Sequence, residues 1–414
     1  MRPNPANAGS DARVVQSICT WITIDETSRS IGLQPVSSSH YPMSSQQRLV
    51  SLDAFRGATI AAMVLVNNAG SFKETYAPML HVPWHGWAFA DCIMPSFLWI
   101  VGVAMTFSFA KRVERGDSKS QLMLHAIRRG AIIFALGIFL YLFPEFDFAR
   151  MRIPGVLQRI GVCYIICSAI FLSSTWRGVV GWLVGCLAAY WVMMTTIPVP
   201  GYGPGVLTPM GNFSGYVDRL LLTGHMWRNG TEWDPEGIIS TIPSISTMLF
   251  GVLTGYLLRS KLSRESMAGW IFLSGACLVF LGTWLDHFMP INKMIWTVSF
   301  AVLMAGISAL AFASFYWLLD VHGLGHRLTK PFVILGMNAI VVYMFAGLLE
   351  DAFIRFKFLP FGGETLSVHR FIDEYLLSRL LGPQDVSVVY SLGMVVIAYA
   401  LAHLMYRKGW FVRV

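Results

Sequence analysis

Charge is scarce in this sequence. Only 13% of its 414 residues are Asp, Glu, Lys or Arg, where soluble domains carry about 25%. With 55% hydrophobic residues and a mean hydropathy of +0.57, a soluble globular chain is excluded. Cysteine is scarce as well. Cys19, Cys92, Cys163, Cys167, Cys186 and Cys277 form no CxxC pair and no metal-ligand spacing, which gives neither a disulfide framework nor a zinc signature, and no metal is expected. Cys163 and Cys167 lie one helical turn apart in an apolar segment, as small packing residues do. Residues 1–47 lack the apolar core of 7–15 residues that a secretory signal needs. No repeat relates the two halves of the chain, which counts against a transporter built from inverted repeats.

What is present is a succession of apolar runs of about 20 residues, the length that crosses a bilayer as helix. They fall near 50–70, 88–110, 124–143, 155–174, 177–197, 238–259, 267–288, 294–318, 331–353 and 388–406. The expected fold is therefore all-α: a polytopic bundle of about ten spans embedded in a lipid bilayer. Residues 1–47, polar and rich in Ser, Pro and Asn, are expected to form a disordered cytoplasmic tail before a membrane domain over 48–414. Met43 reads as an alternative start, which would place part of that tail outside the native protein.

The net charge of +8 sits in short clusters between the runs. That is the positive-inside pattern and not a nucleic-acid face. Lys111, Arg112, Arg115, Lys119, Arg128, Arg129, Arg177, Arg259, Lys261 and Arg264 share one set of connections. The alternate connections are longer and more sparsely basic, so both termini are expected in the cytoplasm. Gly181-x-x-x-Gly185 and Gly251-x-x-x-Gly255 fall inside spans, where small residues let helices approach closely. They are expected to mark packing within the chain, a homodimer face being the alternative. Asn212-Phe-Ser and Asn229-Gly-Thr match glycosylation acceptors on the outer side, a match that chance supplies freely.

The densest polar chemistry is His81-Val-Pro-Trp-His-Gly-Trp-Ala-Phe-Ala-Asp91 at the mouth of the second run. An ionisable residue at membrane depth is costly and so is a functional hypothesis by default. Pro83 rules out one regular helix through both His81 and His85. An interfacial loop with tryptophan anchors and a catalytic histidine both remain open on this stretch alone. Three further motifs gather at outer entrances: Arg152-Ile-Pro-Gly-Val-Leu-Gln-Arg159, Asp234-Pro-Glu-Gly237 and Ile291-Asn-Lys-Met-Ile-Trp296. Together they imply a polar cavity open to the outside. On the inner side, Asp53 and Arg56 stand at a spacing that lets them pair. Gly336-Met-Asn338-Ala339 places an amide in the first turns of the ninth run.

The ordered set SLDAFRG (51–57), VNNAG (66–70), HVPWHGW (81–87), RIPGVLQR (152–159), DPEGI (234–238), NKMIW (292–296) and GMNAI (336–340) resembles the catalytic region of the heparan-α-glucosaminide N-acetyltransferase family. The resemblance covers about residues 48–410 and points to a bacterial-type homologue without the family's lumenal domain, in a bacterial inner membrane. It implies an acetyl-CoA-dependent membrane acyltransferase, with the donor supplied from the cytoplasm and the amine of a glucosamine-type sugar or glycan acetylated on the other side. The family's active histidine falls on His81. Position 85 is Asn in the lysosomal enzyme, so His85 departs from the pattern.

On this reading His81 is the base or the acetyl carrier, and Asp91 orients or charge-balances it. Arg56, Asn67, Arg152, Arg159 and Asn338 are the donor-site candidates. Trp84, Glu236, Asn292 and Lys293 are the acceptor-site candidates. The alternatives are a secondary transporter for a sugar or amino sugar, and a polysaccharide O-acetyltransferase.

Overall fold

The computed structural model describes residues 49–71, 74–227, 232–358 and 365–412. The expected N-terminal tail and the Asn229 acceptor lie outside them. Twelve helices carry the architecture: α1 (Val50–Asn67), α2 (Phe89–Glu114), α3 (Lys119–Leu142), α4 (Val156–Ser173), α5 (Trp176–Thr196), α6 (Phe213–Leu222), α7 (Thr241–Leu258), α8 (Arg264–Leu285), α9 (Val298–Tyr316), α10 (His326–Met337), α11 (Ala339–Arg355) and α12 (Pro383–Arg407). Nine spans among the described residues are long and apolar enough to cross a membrane. The α10–α11 pair passes the same test jointly. The chain is an all-α, multi-pass membrane protein. Among the described residues one small sheet pairs Lys357–Phe358 with Leu366–Ser367.

Local sequence explains the helix entrances. Ser118 and Gln121 form a reciprocal capping box that starts α3, and Ser263 caps α8 through the Ser266 N–H. Asn212 caps α6 by accepting from the Gly215 N–H, and its own amide donates to the Thr208 and Pro209 carbonyls. That side chain is fully buried, which removes Asn212 as a glycosylation acceptor.

Glycine fixes the closest crossings. A Cβ on Gly251 of α7 would lie 2.0 Å from the Trp99 carbonyl oxygen of α2, and one on Gly255 would lie 2.3 Å from the Thr106 hydroxyl. Gly57 of α1 and Gly336 of α10 meet in the same way, each against the other helix's backbone. The second of these contacts has a consequence for the ninth span. Expected as one continuous helix over 331–353, it is broken at Asn338 and bent by 78°. Gly336 keeps α10 flat against α1, Asn338 leaves the helical region at φ −125°, and its amide joins the Trp410 carbonyl and the Val412 N–H. The Gly181 and Gly185 expectation is also corrected. A Cβ at either position would meet nothing within 4 Å, because α5 packs through Val179, Leu183 and Tyr190 on another face.

Since the spans alternate in direction, the connections 68–88, 143–155, 197–240 and 286–297 come together at one end of the bundle. That end carries the site.

Candidate active site

The centre of the site is built by two connections held edge to edge. Gly86 adopts φ +102°, a left-handed conformation that glycine takes without steric cost. Its N–H donates to the Ile291 carbonyl at 2.7 Å. The facing connection is locked from within: Asn292 Oδ1 accepts from the Ile295 N–H, and the Asn292 N–H donates to the Thr297 hydroxyl. Trp296, buried at φ +52°, is held there by its indole bond to Thr247. The Tyr190 hydroxyl donates to the neighbouring Ile295 carbonyl. A non-glycine residue with positive φ persists only where its surroundings over-determine it.

Between these walls lie His81, Asp91 and Lys293. Asp91 stands in the first turn of α2, where the helix dipole favours an anion. Its Oδ2 accepts from the Ala88 N–H at 3.0 Å and the Val82 N–H at 3.3 Å. Its Oδ1 lies 2.8 Å from His81 Nδ1 and 3.2 Å from Lys293 Nζ. The carboxylate is wholly buried, the lysine side chain is 11% exposed and the imidazole 38%. A buried carboxylate is tolerated when it is paired and hydrogen-bonded, and Asp91 has both. Lys293 Nζ also approaches both ring nitrogens of His81, at 2.8 and 3.3 Å. Burial pushes the Lys293 ammonium below its ordinary value, against the pull of Asp91 and Glu236. His85 sits beside this group, 3.4 Å from the Asn292 amide. Burial lowers its value too, with Asp286 opposing.

A second cluster faces the first. Arg152 Nε and Nη2 clasp both oxygens of Asp234, at 3.0 and 2.6 Å, in the bidentate geometry that suits guanidinium. Nη2 also reaches Glu236, and Nη1 donates to the Tyr141 hydroxyl. Burial opposes the Arg152 charge, yet the Glu236 and Asp234 carboxylates outweigh it and raise its value. The Asp234–Gly237 turn is shaped from below by Asp218 of α6, which accepts from the Ile238 N–H at 2.9 Å and the Asp234 N–H at 3.4 Å. A Cβ on Gly237 would fall 2.1 Å from the Asp218 carboxylate, so the turn has room for glycine alone. Burial pushes Asp218 up to about 6, against those two backbone donors.

Arg159 joins the clusters. Its Nη2 donates to Ser240 and the Gly237 carbonyl, and its guanidinium lies 4.9 Å over the Trp296 ring. Its Nε and Nη1, with both amide atoms of Gln158, are buried without a hydrogen-bond partner among the described residues. Trp84 donates to the Leu207 carbonyl and meets Trp233 edge to face at 4.7 Å.

The fold thus brings together His81, Asp91 and Lys293, His85 with Asn292, and Arg152 with Glu236. Asn67 is exposed at the same end, on the last residue of α1. Arg56 lies at the opposite end of α1 against Asp53, at 3.2 Å, and Asn338 is engaged by the C-terminal segment. Sequence reasoning did not single out Asp218, Trp233, Ser240 or Tyr141. Asp234 was visible inside its motif, but nothing marked Asp218, which acts across 16 to 20 residues.

The family model for the heparan-alpha-glucosaminide N-acetyltransferase catalytic region matches residues 48–285. The chain belongs to this family. Heparan-alpha-glucosaminide N-acetyltransferase of Mus musculus is 29% identical over 379 residues, covering 77% of this chain and 57% of that protein. Its counterpart in Homo sapiens is 30% identical over 363 residues, covering 74% and 54%. The chain therefore spans little more than half the length of these two relatives. Both clusters except the Ile291–Trp296 connection fall within the stretch that the N-acetyltransferase family model matches.

Proposed function

We propose that this chain transfers an acetyl group from cytoplasmic acetyl-CoA to the amine of a glucosamine-type sugar on the opposite side of the membrane. The observation that carries the reading is the His81–Asp91–Lys293 cluster at the mouth of the bundle in a member of this family. Ile60, Met63, Phe97, Leu157, Ile160 and Tyr343 line a small apolar void of about 10 Å³ beside α4, which would have to widen to admit the slender arm of an acyl thioester. The unpartnered buried atoms of Arg159 and Gln158 are donors and acceptors for its polar groups. Bound acetyl-CoA supplies the activated acetyl carbon.

The protein's own part is proton management and placement. An attacking amine must lose a proton, and a ring nitrogen of the His81 imidazole, which is 38% exposed and 2.8 Å from Asp91, is placed to take it. The proton then passes to the departing thiolate of CoA as the C–S bond breaks and the N–C bond forms. A positioned base of this kind contributes typically 10²–10⁴-fold. An acetyl-carrier role for His81 uses the same nitrogen. Mixing enzyme with donor alone separates the two, because only a carrier releases a stoichiometric burst of CoA without sugar.

The test is purified protein in detergent with acetyl-CoA and glucosamine, following CoA thiol and acetylated sugar together. Equal production of both supports the reading. Absence of both across a panel of amino sugars, with acetyl-CoA binding also absent by calorimetry, overturns it.

A further inference from the structure

Lys293 comes from a connection more than 200 residues after His81, yet its ammonium is directed into the His81–Asp91 pair and not toward open solvent. Nζ lies 3.2 Å from Asp91 Oδ1 and within 3.3 Å of both imidazole nitrogens, and the residue is 9% exposed. A ligand for an incoming sugar would need hydrogens that face the entrance. The three hydrogens of this ammonium point into a space already occupied by a carboxylate and an imidazole. Its backbone has little freedom to turn away: Asn292 is pinned to Thr297 and Ile295, and Ile291 to Gly86.

The charge arithmetic differs from that of an isolated His–Asp pair. There, the carboxylate faces only the imidazole and stabilises its protonated form, since an opposite charge within about 4–6 Å favours the charged state. Here the same Oδ1 is shared with a full positive charge. The remaining titratable groups are more distant: His85 and Asp286 on the flanks, Cys92 next to Asp91 on α2, and Glu236 with Arg152 from the second cluster. Glu236 shares Arg152 with Asp234 and is itself an anion, so none of them replaces the ammonium on Asp91.

We propose that Lys293 is a positioning residue that offsets the Asp91 charge and thereby keeps His81 unprotonated and ready to accept the amine proton. The role rests on the acetyl-transfer reading and deepens it. Asp91 still fixes the ring, its Oδ1 lying 2.8 Å from Nδ1. Lys293 prevents that carboxylate from trapping the imidazole as imidazolium, the form in which Nε2 has no lone pair to offer. In this arrangement a proton taken from the amine makes the cluster more positive, which favours its prompt delivery to the leaving thiolate.

The experiment compares wild type with Lys293→Met, Lys293→Gln and Lys293→Arg, each matched for thermal stability in detergent. The first readout is kcat/KM for CoA release against pH. Loss of the ammonium is expected to move the acid limb upward by about 1 pH unit or more, with kcat near neutral pH falling more than the KM for sugar rises. Lys293→Arg is expected to leave the limb close to its wild-type position. The second readout does not depend on turnover: carbethoxylation of His81 by diethyl pyrocarbonate, which requires the unprotonated ring, followed by peptide mass spectrometry across the same pH range. Its midpoint is expected to move upward in Lys293→Met and Lys293→Gln. An unmoved midpoint and acid limb, with the whole loss in the KM for sugar, would make Lys293 an acceptor ligand and overturn the proposal. If wild type transfers no acetyl group, the acetyl-transfer reading fails by itself, and the carbethoxylation midpoints still decide whether Lys293 governs His81.

Discussion

At the scale of single residues, the exposed imidazole between a buried carboxylate and a buried ammonium is the feature on which the proposed acetyl transfer would depend. His81→Ala removes the group placed to take the amine proton and is expected to lower kcat by at least about 10²-fold. Acetyl-CoA affinity and melting temperature should stay near wild type. His85→Ala should cost less than about tenfold, because among the described residues the His85 ring is hydrogen-bonded to the Asn292 amide alone and otherwise meets the edge of Trp84. CoA release at matched expression checks both, and full activity in His81→Ala would remove His81 from the chemistry.

The His81–Asp91 pairing is legible in the sequence because ten residues separate the two and a helix start lies between them. Lys293 is visible only as a motif, since its contact needs a chain fold that closes 212 residues. Asp218 leaves no mark at all. Its folded-state value is raised to about 6 by burial, above an unfolded value of about 3.9. Its contribution is therefore fully present below about pH 4 and is lost as pH rises through about 6. Wild type should lose on the order of 3 kcal/mol of stability over that window from this group, and Asp218→Asn should flatten the slope. Melting temperature against pH in one detergent measures it; an identical slope in the variant would contradict the assignment.

At the scale of elements, glycine decides which helices touch. Gly251 and Gly255 seat α7 on α2, the helix that carries Asp91, so their size is linked to the geometry of the site. Gly251→Val forces a side chain into the Trp99 backbone and is expected to cost about 1–3 kcal/mol or more, with loss of the folded peak in gel filtration. Gly181→Val on α5, where an added Cβ meets nothing within 4 Å, should leave melting within about 0.5 kcal/mol of wild type. Comparable damage from both substitutions would mean that the α7–α2 crossing is not set by glycine.

Hydropathy located nine of the ten expected spans as single helices because it reports how long a segment stays apolar. It says nothing about backbone direction, so the bend at Asn338 was not readable there. The pattern small-x-x-x-small likewise tells that close approach is allowed, not which neighbour uses it. This is why Gly251–Gly255 packs inside the chain and Gly181–Gly185 does not.

At the scale of the whole molecule, alternation of the spans collects His81, Asp91, Lys293, Arg152, Asp234 and Glu236 at one end. The Lys/Arg-rich connections around Arg112, Arg128, Arg129 and Arg264 collect at the other. Under the positive-inside rule the end that carries the candidate site is expected to face away from the cytoplasm, while the donor in the proposed reaction belongs to the cytoplasm. The proposed acetyl transfer would therefore cross the bilayer.

That crossing is measured most directly in sealed proteoliposomes that contain protein of one orientation. The orientation is checked by an impermeant thiol reagent on a single cysteine at position 129 or position 81. Acetyl-labelled acetyl-CoA is confined to the side of Arg129 and glucosamine to the side of His81. The expected result is labelled N-acetylglucosamine on the His81 side and an equal amount of CoA on the Arg129 side, both abolished by His81→Ala. Product formed only when donor and sugar share one compartment, or not formed at all by protein that binds acetyl-CoA, would contradict transmembrane acetyl transfer.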